Sequence, residues 1–218
     1  MARLSEAARE ERAEERRGQI LRAALEVFSR KGFHGATIKE ISSVAGLAEG
    51  TIYLYFPNKQ EVLTGVFTLI SEETSAAGPK FPESPGGDDV AFLTALILER
   101  VRSLARYAPF IRLVVHEADL NEGLRREFFA RLHTPFVAQF EGYLRTRIAQ
   151  GAFRPVNTPL AASICFRMVM SYLMTQHVLD VDRSVTRYGD DEYIPEMVSL
   201  MLCGLIGRTP QSGPVRGS

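Results

Sequence analysis

Through the first third of the chain, apolar positions recur at helical spacing and are cut into short runs. Ile20, Ala24, Val27 and Phe28 mark one face of a first helix, which Lys31 and Gly32 end. Ile38, Ile41 and Ala45 mark a second, opened by Thr37 with Glu40 three residues on, the T-x-x-E form of a capping box. Gly46 permits a tight reversal, and Leu47 is the buried turn residue that holds two helices at a steep angle. On the helix that follows, Ile52 and Phe56 share one side, which leaves Thr51, Leu54 and Tyr55 outward and Tyr53 between the faces. Pro57 stops that helix. Asn58 and Glu61 then form a second capping box, and the fourth helix carries Lys59 in its first turn and Val62, Val66, Leu69 and Ile70 on one face toward Ala77.

Beyond this point GPKFPESPGGDD is the only internal stretch that reads as a linker. Helical runs follow at about 89–107, 109–119, 123–150, 159–179 and 192–206, with no convincing strand; Pro135 predicts a kink in the third, and Thr158 with Pro159 reads as a cap and first helical residue. The last two runs are apolar nearly all round, so each must be buried on more than one side. A membrane span is the rival reading, but Arg167, Gln176 and His177 interrupt one run and the other is too short. Pairing with a second copy as a four-helix bundle covers them, with no membrane involved.

A short helix, a glycine turn and a second short helix bearing Thr51, Tyr53 and Tyr55 form the pattern of a helix-turn-helix DNA reader. Hydroxyls of Thr51, Tyr53 and Tyr55 suit phosphate oxygens; Leu54 and the Thr51 methyl suit a thymine methyl. Lys59 at a helix start suits a phosphate. The segment GFHGATIKEISSVAGLAEGTIYLYFPNKQEVL closely resembles the DNA-binding domain of the TetR family of bacterial transcriptional regulators, over about Gln19 to Phe67. The resemblance implies an all-α homodimer with an N-terminal three-helix DNA-binding domain and a C-terminal helical domain for effector binding and dimerisation. Its DNA-facing positions fall on Thr37, Glu49, Gly50, Thr51, Tyr53, Leu54, Tyr55 and Lys59. Two residues depart from the family pattern. Ala48 stands where a capping Ser is usual, and Glu49 puts an acid at the groove, where it either accepts from a cytosine amino group or bends away from phosphate.

Composition changes this picture little. The 218 residues carry 26 basic and 26 acidic side chains, yet through Gln60 there are ten Lys and Arg against eight Asp and Glu, and beyond it 16 against 18, so the slight asymmetry has the sign a DNA-binding end requires. Residues 3 to 17 mix Arg and Glu as a frayed helix or mobile arm; a solvated stretch is the plain reading, and Arg12, Arg16 or Arg17 on DNA the functional one. Cys165 and Cys203 lie in apolar runs as two reduced, buried thiols of a cytoplasmic protein. The P-loop, G-x-S-x-G and H-E-x-x-H motifs are absent, and no His follows a Glu at the spacing of a di-iron bundle, so neither an enzyme nor a metal or other cofactor is expected.

The resulting division is 14–74 for DNA (motif 37–56), 75–208 for effector and dimer, and 209–218 as a disordered tail. Phe92, Leu96, Phe110, Val114, Phe128, Phe136, Phe140 and Met168 are candidate lining for an apolar cavity, with Arg112, His116, Tyr143, Tyr172 and His177 as polar anchors. Val169, Leu173, His177, Met197, Met201 and Leu205 are the candidate dimer residues. The reading is a ligand-responsive repressor, a homodimer on double-stranded operator DNA, released by a hydrophobic or amphipathic small molecule. A helical adaptor or scaffolding dimer that binds no DNA stays open as the alternative.

Overall fold

The computed structural model describes residues 6–76, 79–82, 86–117, 122–179, 181 and 187–206, and every regular element among them is helical. The expected tail at 209–218, linker residues 83–85 and the expected helix ends at Ala77 and Asp119 lie outside the described residues. The N-terminal unit comprises α1 (Glu6–Gly35), α2 (Ile38–Ala45), α3 (Glu49–Tyr55) and the start of α4 (Lys59–Ala76). Ile20, Ala24, Val27, Phe28, Ile41, Ile52, Val62, Leu63, Val66 and Phe67 are withdrawn completely from solvent in its core. Each of the larger ones contributes about 1.5–3 kcal/mol through burial. Charged residues near the N-terminus belong to α1 from Glu6 onward: Arg16 bonds Gln19, and the Arg17 guanidinium lies 4.9 Å above the Phe56 ring. Gly32, at φ 77°, breaks the helical path where Lys31 and Gly32 predict an end.

The C-terminal unit comprises α5 (Asp89–Ala105), α6 (Ala108–Glu117), α7 (Glu122–Phe128), α8 (Thr134–Ala149), α9 (Thr158–Leu173) and α10 (Asp190–Ile206). The helix α8 packs on α9, α10 on α5, and α5 on both α4 and α9. Its upper half thus makes α4 a wall of this unit, and Phe67 meets Phe110 of α6 edge-on at 5.2 Å. The structure is all-α, an N-terminal helix-turn-helix domain followed by a helical domain. No helix among the described residues is long and apolar enough to cross a membrane.

Three local expectations change. The disturbance near Pro135 takes the form of a π-helical segment, Phe129–His133, that leads directly into α8 with Pro135 in its first turn. Proline offers no N–H to the Arg131 carbonyl four residues back, and just before it Thr134 N–H reaches Phe129 O, five residues back, as in a π-helical turn. Asn157, not Thr158, caps α9: its Oδ1 accepts from Leu160 N–H at 3.1 Å, and Thr158 is already helical. Phe81, in the stretch read as linker, packs within 5.8–6.2 Å of the rings of Phe92, Phe136, Phe140 and Tyr143. A single Phe among prolines and glycines has no period by which to be recognised as core.

Candidate nucleic-acid interface and ligand cavity

Both halves of the capping box at α2 form. Thr37 Oγ1 accepts from Glu40 N–H at 3.2 Å, and Thr37 N–H donates to Glu40 Oε2 at 3.1 Å. Lys31 also pairs with Glu40, and this bond is the main cause that holds the Glu40 carboxyl below its ordinary range. At the other end Gly46 is left-handed, at φ 65°, and its N–H reaches the carbonyls of Ser42 and Ser43. Ala48 gives α3 no side-chain cap, as its methyl requires, while Glu49 places a carboxylate in the first turn, where the helix dipole favours it.

Ile52 anchors α3 and is fully buried; Leu54 is 82% and Tyr53 51% exposed. Tyr53 therefore projects further than the in-between position expected of it. Tyr55, expected outward, is half-buried against the core, as is Thr51. Gly50 is exposed, and a Cβ built there meets nothing within 4 Å, so no internal contact requires glycine. Two expected DNA contacts have their polar groups engaged within the chain, Thr37 while exposed and Lys59 while half-buried. The Thr37 hydroxyl donates to Glu40 Oε2 at 3.1 Å. Lys59 Nζ donates to Phe33 O at 2.6 Å and Ala36 O at 2.9 Å and sits 4.5 Å over the Phe33 ring. The carbonyls that end a broken helix lack intrahelical N–H partners, and an ammonium satisfies two of them at once.

Phe33 is held from the opposite side as well. Its N–H donates to Glu117 Oε1 of α6 at 3.2 Å, and a Cβ on the neighbouring Gly32 would lie 2.7 Å from that same oxygen. The backbone of one residue, Phe33, thus connects α6 to the first turn of α4.

An apolar cavity of about 70 Å³ lies between α4, α5, α8 and α9. Ile97, Leu104, Ile111, Phe128, Leu132, Phe136, Phe166, Val169, Met170 and Leu173 make it apolar; Ser71, Thr74, Ser75, Arg100 and Gln139 are its polar lining. Phe128 and Phe136 are here as expected, and Phe136, Leu96 and Phe140 line a smaller space beside it with Cys165. The other expected lining residues are elsewhere. Phe92 and Tyr143 join Phe81, with the Tyr143 hydroxyl on Asp89; Phe110 packs on Phe67 and Val114 in the core. Arg112 Nε donates to Val178 O at 2.7 Å, and His116 faces solvent. The Tyr172 hydroxyl donates to Asp190 at 2.6 Å, the carboxylate that also meets His177 Nε2 at 2.9 Å. Arg100 was legible: Leu93, Ile97, Arg100 and Leu104 fall on one stripe of α5, a cation among positions that otherwise face inward.

The candidate dimer residues need a similar correction. Val169, Leu173, Met197 and Leu205 are buried within the single chain, and His177 is engaged with Asp190. Met201 is half-buried against the core and lines the smaller space. The outer side of α9 and α10 instead shows Leu160, Ile164 (48% exposed), Met168 and Leu200 (62% exposed). Met168, expected in the cavity, belongs to that outer side. Cys203 is exposed there too, against the expectation of two buried thiols; Cys165 is buried, and burial pushes its thiol up to about 11.

Residues 20–66 match the model for bacterial regulatory proteins of the tetR family, and residues 93–204 match that for the C-terminal domain of AefR-like transcriptional repressors. The uncharacterized HTH-type transcriptional regulator YfiR of Bacillus subtilis is 30% identical over 177 residues, which span 79% of this chain and 84% of that protein. Among solved structures, Salmonella enterica GusR aligns with a TM-score of 0.71 at 22% identity, over 88% of this chain and 95% of its own. The Bacillus subtilis transcriptional regulator FadR in complex with stearoyl-CoA aligns with a TM-score of 0.68 at 24% identity, over 85% and 97%.

Proposed function

The chain belongs to the TetR family of bacterial regulatory proteins, and we propose that it acts in the cytoplasm as a repressor whose dimer reads a palindromic operator through α3 and releases it when an apolar or amphipathic molecule enters the cavity. The observation that carries this reading is the exposed pair Tyr53 and Leu54 on a seven-residue helix held by one buried side chain, Ile52. The two stand side by side on this short element, where another surface can cover them. A thymine methyl suits Leu54, and phosphate oxygens suit the Tyr53 hydroxyl. Glu49, Gly50 and Thr51 complete the face, Gly50 by allowing close backbone approach. Tyr55 and Lys59 act from behind as positioning residues, and the exposed Thr37 does so by capping α2.

The cavity and the reader share α4. Ser71, Thr74 and Ser75 line the cavity, while Lys59, at the start of the same helix, braces the Phe33 peptide. A ligand that fits better when α4 is displaced shifts the two α3 helices away from the spacing of successive major grooves, about 34–36 Å. The stearoyl-CoA bound by FadR, at a similar fold, supports a ligand with a long apolar body.

Selection of the purified protein on random duplex DNA, at near-physiological salt, tests the reading. Enrichment of a two-fold symmetric sequence is expected. No enrichment, from protein shown to be folded and dimeric, would transfer the chain to the adaptor reading.

A further inference from the structure

Arg100, half-buried, differs from the buried Arg147. Arg147 forms an ion pair with Asp89 at 2.7 Å, whereas Arg100 has no carboxylate within ion-pair distance among the described residues. Its NH1 donates to Ser75 Oγ of α4 at 3.0 Å, and its Nε is buried with no hydrogen-bond partner. Desolvation pulls its pKa down, which means that the fold holds this charge at a cost. Among the described residues it is also the one charged side chain that lines the cavity.

A guanidinium carries five N–H donors in a planar fork that matches a carboxylate. One charge in an apolar enclosure is neutralised by one anion and would be overcompensated by a dianion. We propose that the cavity binds a monoanionic amphiphile, a carboxylate on an apolar body, with its head on Arg100 beside Ser75 and its body along Ile97, Phe136 and Met170. This deepens, and rests on, the reading of the chain as a ligand-responsive regulator. The carboxylate takes the unpartnered Nε side of a guanidinium that also bonds Ser75, so the ligand head is coupled to α4 through Arg100.

The test is calorimetric binding of dodecanoate, 1-dodecanol, dodecylamine and dodecanoyl-coenzyme A to the full chain at neutral pH. Dodecanoate is expected to bind at least tenfold tighter than the alcohol or the amine. In Arg100→Gln that preference falls to about one, and Arg100→Lys restores part of it. Equal binding of acid and alcohol by the unaltered chain would overturn the proposal, and this arm needs no variant to fold. A preference kept in Arg100→Gln would overturn it as well, as would dodecanoyl-coenzyme A binding more tightly than the free acid with no dependence on Arg100. DNA is absent from these measurements: a carboxylate preference in a protein that selects no operator would sink the regulator reading and leave the anion site, and the opposite pair of results would do the reverse.

Discussion

Ala48 leaves the free amides at the start of α3 without a side-chain acceptor. Serine at that position supplies one, so Ala48→Ser is expected to raise stability by about 1 kcal/mol, read as a higher denaturation midpoint at unchanged slope. Tyr107 illustrates the opposite case, a polar group with a strong partner. Burial first, and its bond to Glu73 second, push the phenol up to about 12, whereas the unfolded chain ionises near 10. The stabilisation is therefore complete below about pH 10 and is lost as pH rises toward 12, because the unfolded chain gives up its proton first. Unfolding midpoints measured from pH 9 to 12 should fall, and Tyr107→Phe should flatten that fall. Single residues were also where sequence reading went furthest astray. Lys59 has the charge and place of a phosphate ligand, and only the carbonyls of Phe33 and Ala36, brought near by the break at Gly32, explain why it turns away.

Elements were more legible, since a helix declares its face by spacing alone. The capping box at Thr37, the reversal at Gly46 and the anchor at Ile52 all stand where periodicity puts them. Helices apolar on every side defeat the same logic, because spacing no longer says which side meets the chain's own core. On α9 and α10 the inner side proved to hold Val169, Leu173, Met197 and Leu205, and the outer side Leu160, Ile164, Met168 and Leu200. An outer side of that kind must be covered by a second copy if the protein dimerises through these helices. Ile164→Glu and Leu200→Glu are then expected to yield folded monomers in sedimentation. Val169→Asp should unfold the chain, having put an unpaired charge in its interior. Intact dimers from both outer variants would place the interface elsewhere.

Across the molecule, the N- and C-terminal units meet at α4 and at the backbone of Phe33, held by Lys59 through its carbonyl and by Glu117 through its N–H. Gly32 makes this possible twice over, by its left-handed backbone and by leaving room for the Glu117 carboxylate. Gly32→Ala should cost about 1–2 kcal/mol from backbone strain alone, and it must also displace Glu117. The measurable result is an operator affinity that responds less to ligand than that of the unaltered chain. A full response would mean that signalling bypasses this junction. The shared wall has one more consequence. If ligand weakens operator binding through α4, operator DNA must weaken ligand binding by the same factor. The sensitivity of the protein is therefore not its own constant: with more operator sites titrating it, the same effector concentration yields a smaller response.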